Sequence, residues 1–335
     1  MIMNHFKTAF GYILNFALLG LLLSTTTACS DDTDSDQTKK YVSFLVNETE
    51  KEEVLTKGAQ ATLTALNAGF GVSSSVYPSS GTYSNYPCGS YFYKLNVVPG
   101  VATKYSWPMT DSKMAFYAYY PYNNSAFTVQ SSATTNGAPT YSYTVPESIG
   151  SQVDVMTAQV VDRLASNQSA VALSFAHRCT DVRFTVYNRQ SSALTIKSIA
   201  IYGVKYTGTY KSGTSWTLTG NANSSTSHPF LLTLNTSVAS KATVDMTGTS
   251  NHFIMLPQTV ASGTNFIVVK TLEDGEEKTY THTLSENYVL EMGKSVTFKL
   301  TLGNEVMTVG SISVNEWEPI TSVTGAFSVN NWTAQ

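Results

Sequence analysis

Past its N-terminal segment, the chain offers four histidines, two cysteines and a thin scatter of carboxylates for chemistry. His177, His228, His252 and His282 stand far apart, and none belongs to a His-Glu-x-x-His pair. Cys88 and Cys179 are solitary rather than set at metal-ligand spacing. No Gly-x-Ser-x-Gly elbow presents a nucleophile. Gly293-Lys294-Ser295 lacks the upstream glycine that would cradle phosphate. Asp154, Asp162 and Asp181 do not single out an acid/base pair. His177, two residues after Phe175 at a strand end, reads as a satisfied core histidine, and His282 as a solvent-face residue of an alternating strand. The expectation is a protein without catalytic residues, metal or cofactor.

The one position with a clear chemical fate is Cys29. Lys7 supplies an early positive charge, an apolar run follows over 9–23, and Ser24-Thr25-Thr26-Thr27-Ala28 lead into Cys29. This is the charged, apolar and small-residue order of a secretion signal. The run is broken by Asn15 and Gly20 and is shorter than the ~20 apolar residues of a membrane span. A plain signal peptide is the other reading. The segment resembles a bacterial lipobox, with Thr26 where that motif usually has Leu, and so implies a signal over 1–28 and lipidation of Cys29. Cys88 and Cys179 then remain as the free thiols, and whether they pair is left open, since sequence does not set their geometry.

Residues 29–40 read as an acidic tether. Asp31, Asp32, Asp34 and Asp36 repel one another and carry no apolar neighbours to bury. Their spacing is like that of a calcium loop, but the glycine of that pattern is missing. The run also resembles the acidic export signal of surface lipoproteins in Bacteroidota, which implies the outer face of the outer membrane.

The body must then be built from strands. Charged residues make up only 13% of the 335-residue chain, against roughly 25% in an average soluble domain. Ser, Thr, Tyr and Phe fill the gap, and β-branched and aromatic side chains suit pleated, half-buried surfaces. A net charge of −3 without a basic patch speaks against a nucleic-acid partner. Short runs such as Tyr41–Val46, Tyr91–Val97, Met114–Tyr120, Val182–Tyr187 and Val296–Leu302 have strand length and composition, separated by Gly, Ser, Asn and Pro. In Tyr91–Val97, the residues Tyr91, Tyr93, Leu95 and Val97 are expected on one face. Asp274-Gly275 between two such runs predicts a hairpin. Thr49–Leu55 is the best short helix candidate. The reading is all-β, in two tandem β-sandwich domains over 41–165 and 166–335, divided in the polar stretch 165–169. Tyr117, Tyr119, Tyr120 and Tyr122 suit either core and sheet packing or a sugar-stacking platform. The second use would make the chain a surface glycan-binding lipoprotein.

A series of segments, in order, resembles the fimbrillin family of Mfa-like and FimA-like proteins. They are Tyr41-Val42-Ser43-Phe44, Thr56-Lys57-Gly58-Ala59, Phe70-Gly71-Val72, Tyr105-Ser106-Trp107-Pro108 and Met114–Pro121. Gln152–Ala158, Val171–His177, Met255-Leu256-Pro257-Gln258, Gly293 and Ile312–Trp317 continue the series. The resemblance implies two transthyretin-like sandwiches, export as a lipoprotein, and assembly with other fimbrial subunits by donor-strand exchange. It implies that Tyr41–Val46 is the strand removed by a trypsin-like protease and that cleavage falls between Lys57 and Gly58, where the family usually has Arg before the cut. An uncleaved chain would keep its lipid and serve as an anchor or a non-polymerising surface protein. A C-terminal donor strand would lie within 318–335, with Phe327 and Val329 as its inward side chains. Gly325–Gln335 also reads as the last strand of its own domain. The implied partners are other fimbrial subunits, the outer membrane through the lipid, and a host or bacterial surface receptor.

Overall fold

The structure, a computed structural model, describes residues 39–46, 63–130, 137–248, 250–303 and 306–317. Among these residues strands are the dominant regular structure, with one short α-helix at Leu63–Asn67 and two single 3-10 turns at Tyr83–Asn85 and Ile149–Ser151. The all-β expectation holds. The helix candidate Thr49–Leu55 lies outside the described residues.

The first ten strands are β1 (Tyr41–Val46), β2 (Phe70–Pro78), β3 (Phe92–Val97), β4 (Ala102–Ser106), β5 (Ser112–Tyr120), β6 (Phe127–Gln130), β7 (Thr140–Thr144), β8 (Met156–Leu164), β9 (Val171–Leu173) and β10 (Ala176–His177). A three-stranded sheet runs β4-β1-β9 and a five-stranded sheet β10-β8-β5-β2-β3. Both sheets contribute to one core of Val42, Phe44, Phe70, Phe116, Val171 and Phe175, among others.

Strand β5 shows how the layers form. Its side chains alternate by the period of two that any strand imposes. Met114, Phe116 and Ala118 enter that core, while Ala115 and Tyr117 enter a smaller cluster with Tyr77 and Cys88 on the other face. A strand buried on both faces has no polar side, which explains its unbroken apolar and aromatic sequence. Tyr119 lies across Gly71, its partner on β2; a Cβ there would fall 2.0 Å from the tyrosine ring.

Strand β3 departs from expectation. Phe92 and Val97 are its buried residues, whereas Tyr93 is exposed. Lys94 takes a positive φ of 50°, and the pairing with β2 slips between Leu95 and Phe92. The irregularity changes the facing of the residues before it, so a simple alternation from Tyr91 to Val97 fails.

The later strands are β11 (Thr180–Asn188), β12 (Leu194–Ile201), β13 (Lys205–Lys211), β14 (Thr217–Ala222), β15 (Phe230–Val238), β16 (Thr243–Asp245), β17 (Phe253–Met255), β18 (Gln258–Val260), β19 (Asn265–Glu273), β20 (Glu276–Thr283), β21 (Tyr288–Leu290), β22 (Lys294–Gly303) and β23 (Val306–Glu316). One sheet runs β16-β11-β22-β23, with β17 also on β11, and another runs β15-β12-β19-β20. Val182, Phe184, Ile196, Ile199, Phe266 and Phe298 belong to the core they share. Asp274 and Gly275 turn β19 into β20 with φ of 51° and 88°, the pair of positive values that a tight hairpin turn of this hand requires.

A further sheet, β14-β13-β7-β6, joins strands from before and after residue 165. Tyr141 of β7 pairs with Tyr210 of β13, and their rings stack 6.0 Å apart. Strands β9 and β10, also beyond residue 165, pair with β1 and β8.

Candidate functional site

The first strand has a distinct setting. Tyr-Val-Ser-Phe-Leu-Val alternates, so Val42 and Phe44 point into the core and are fully buried, while Tyr41 and Leu45 are exposed. Phe44 meets Phe116 edge-on at 5.4 Å and Phe70 at 6.5 Å. The strand is clasped on both sides. It runs antiparallel to β4, with Tyr41 opposite Ser106, and parallel to β9, with Phe44 opposite Val171. Beyond the ladder, the Gly100 N–H donates to the Phe44 carbonyl at 2.8 Å and the Trp107 N–H to that of Lys40 at 3.0 Å.

Lifting β1 away would uncover Phe70, Trp107, Phe116, Val171 and Phe175, together with the backbone edges of β4 and β9. Burial of a Val and a Phe is worth roughly 1.5–3 kcal/mol each. Such a groove therefore calls for an extended, alternating segment that supplies two inward apolar side chains and a row of backbone partners.

The residues that sequence reading attached to this strand are Cys29, Lys57, Gly58, Phe327 and Val329, and all lie outside the described residues. In the chain, Lys57 falls between β1 and the helix Leu63–Asn67. Cys88 and Cys179 are free thiols in different clusters, so they do not pair. Burial pushes the Cys88 thiol up to about 12. Tyr117 and Tyr119 are buried and offer no face to a sugar. His282 is half-buried and shares strand parity with buried Tyr280, so it belongs to the inward side and not to the solvent face. Burial lowers its pKa.

Two buried polar clusters went unseen in the sequence. In the first, His177 Nδ1 lies 2.7 Å from Asp154 Oδ2, and the imidazole stacks on Trp317 with centroids 4.1 Å apart. His177 is thus the satisfied core histidine expected. In the second, Asp181 Oδ2 accepts from Arg183 Nε at 2.7 Å and from Ser295 Oγ at 2.8 Å, and His252 Nδ1 is 3.1 Å from Oδ1. Burial would raise the Asp181 pKa, but the His252 and Arg183 contacts outweigh it and hold the carboxyl below its ordinary 3.8.

Asp, His and Ser meet here, yet the arrangement is not a nucleophilic relay. A relay needs the hydroxyl on the imidazole. Ser295 and His252 both address the carboxylate instead, and His252 Nε2 is bound to the Gly248 carbonyl at 2.8 Å. The cluster ties β11, β22 and the segment before β17 together. His252 and Ser295 lie 71 and 114 residues from Asp181 along the chain, so no local spacing could have announced their meeting with it.

Layered sheets with a clasped first strand define a β-sandwich protein. The Fimbrillin-like family model matches residues 47–317, and the chain belongs to that family. No curated protein matches it. Among solved structures, a candidate cell adhesion protein from Bacteroides ovatus ATCC 8483 is similar at 14% identity and a TM-score of 0.50, covering 84% of this chain and 98% of that one. It shares the fold. A candidate cell adhesion protein from Bacteroides uniformis ATCC 8492 matches at 17% identity and a TM-score of 0.49, covering 83% and 98% of the two chains. The tip fimbrial protein Mfa3 from Porphyromonas gingivalis, with C-terminal truncation, matches at 7% identity and 0.35, covering 74% and 94%.

Proposed function

We propose that this chain is a subunit or adhesin of cell-surface fimbriae that assembles by donor-strand exchange. In this reading Cys29 carries lipid during export to the outer membrane surface, and a trypsin-like protease cuts between Lys57 and Gly58. The cut releases β1, and residues 318–335 of a neighbouring subunit fill the groove with Phe327 and Val329 in the places of Val42 and Phe44. Two tandem sandwiches belong to the same reading, divided near residue 165 with β9 and β10 returning to the first and β6 and β7 passing to the sheet of β13. The role is structural and adhesive, not enzymatic.

The observation that carries it is the seat of β1. Its two buried side chains and two flanking ladders form a unit that one extended segment can replace by another. Each subunit would give a strand at one end and take one at the other. Such a head-to-tail contact does not close on itself, so it builds fibres. Family membership supports the same role.

Purified chain beginning at Cys29, treated with trypsin, is expected to lose the segment from Cys29 to Lys57 and to form ladders that survive detergent without heating. Persistent monomer after verified cleavage at Lys57 would contradict the proposal. The glycan-binding alternative built on stacked tyrosines loses Tyr117 and Tyr119 to the core.

A further inference from the structure

A cleft of about 310 Å³ lies between β8 and the β13–β14 turn, lined by Thr157, Gln159, Arg178, Tyr210, Ser212 and Thr214, with Ala158, Gly213 and Met292 completing it. Arg178 is its one charged lining residue. The guanidinium is held from behind: Nε donates to Thr157 Oγ1 at 2.6 Å, Nη2 to the Thr157 carbonyl at 3.3 Å, and the group sits 5.4 Å from the Tyr210 ring centroid. Its own carbonyl accepts from Trp216 Nε1 at 2.5 Å, which fixes the backbone as well.

That geometry orders the arginine without neutralising it. Among the described residues no carboxylate is within ion-pair distance of Arg178, and none lines the cleft. Nη1 and the second Nη2 hydrogen have no partner there. A planar guanidinium with free N–H groups matches a carboxylate in a two-point contact. Holding the side chain in advance removes an ordering cost that binding would otherwise carry.

We infer that this cleft binds a carboxylated sugar residue, with Arg178 on the carboxylate. The volume is at the small end of ligand sites, which run from roughly 300 Å³, and suits one ring rather than an extended peptide. The rest of the lining fits sugar hydroxyls. Ser212 and Thr214 bring hydroxyls, exposed Gln159 brings an amide, and Met292 adds an apolar contact. The Thr214 hydroxyl donates to the Lys211 carbonyl at 2.6 Å, which holds the turn and leaves its oxygen free to accept. This inference does not depend on strand exchange, because the cleft is remote in sequence from β1 and is complete within one chain.

The test is titration calorimetry of the chain beginning at Cys29 with glucuronate, galacturonate and N-acetylneuraminate, each against its methyl ester. Binding of at least one acid, weakened about tenfold or more in the ester, is expected, since a tenfold change is one well-made charged contact. Gln159→Ala, on an exposed strand position, should weaken binding severalfold without changing the melting temperature. Arg178→Lys keeps the charge but loses the two-point contact and should cost at least as much as the ester. Equal affinity for acid and ester overturns the inference even if Arg178→Lys fails to fold. Absence of binding by all three acids overturns it, as does binding of acidic peptides alone.

Discussion

Strands β1 and β23 lie near the two ends of the described chain and are held in opposite ways. β1 has six residues, two flanking strands and two fully buried side chains. β23 has eleven residues and pairs along one edge with β22, and most of its positions are exposed, including Val306, Ile312 and Val314. A short strand can therefore matter more to its core than a long one. What counts is whether apolar side chains leave water and whether the backbone is satisfied on both sides. Loss of β1 opens the core, whereas the exposed length of β23 contributes mainly its hydrogen bonds to β22.

That contrast can be broken by substitution. Phe44→Ala should cost about 3–5 kcal/mol, because the vacated space lies between Phe70 and Phe116 in a fully buried site. Urea denaturation of the intact chain measures it, and a loss below 1 kcal/mol, well short of what such cavities cost, would mean that β1 is not seated as described. A middle effect comes from acid. Asp181 is held below its ordinary 3.8, so its contribution is present above that value and is lost as pH falls through the depressed one. Protection from hydrogen exchange in β11 and β22 should fall in that range, and Asp181→Asn should flatten the dependence. The smallest effect belongs to β23: Val306→Ala should stay within about 0.5 kcal/mol, as surface changes do.

Much of this architecture was legible in residue order. Met114–Tyr120 announced a strand, which the structure buries on both faces, and Asp274-Gly275 announced its hairpin. β2 was harder, because Ser73-Ser74-Ser75 looks like a loop. All three serines are buried, and the structure shows why this is tolerated: Ser74 Oγ donates to the Ala115 carbonyl and Ser75 Oγ to that of Pro87, both at 2.9 Å. The position of Lys94 broke an alternation that composition alone could not flag. The pairing of β7 with β13 and the meeting of Asp181, His252 and Ser295 are tertiary facts with no local periodicity behind them. The groove was legible as a strand but not as a seat, since its walls come from Phe70, Phe116, Val171 and Phe175, spread over more than a hundred residues.

The central claim is that the β1 seat accepts a replacement strand. The most direct measurement is native mass spectrometry of chain cut at Lys57 and incubated with a synthetic peptide of residues 318–335. Exchange predicts that the fragment carrying β1 leaves and one peptide takes its place, and that a peptide with Phe327 and Val329 changed to Ser does not. Retention of the original fragment with no peptide bound would contradict the account.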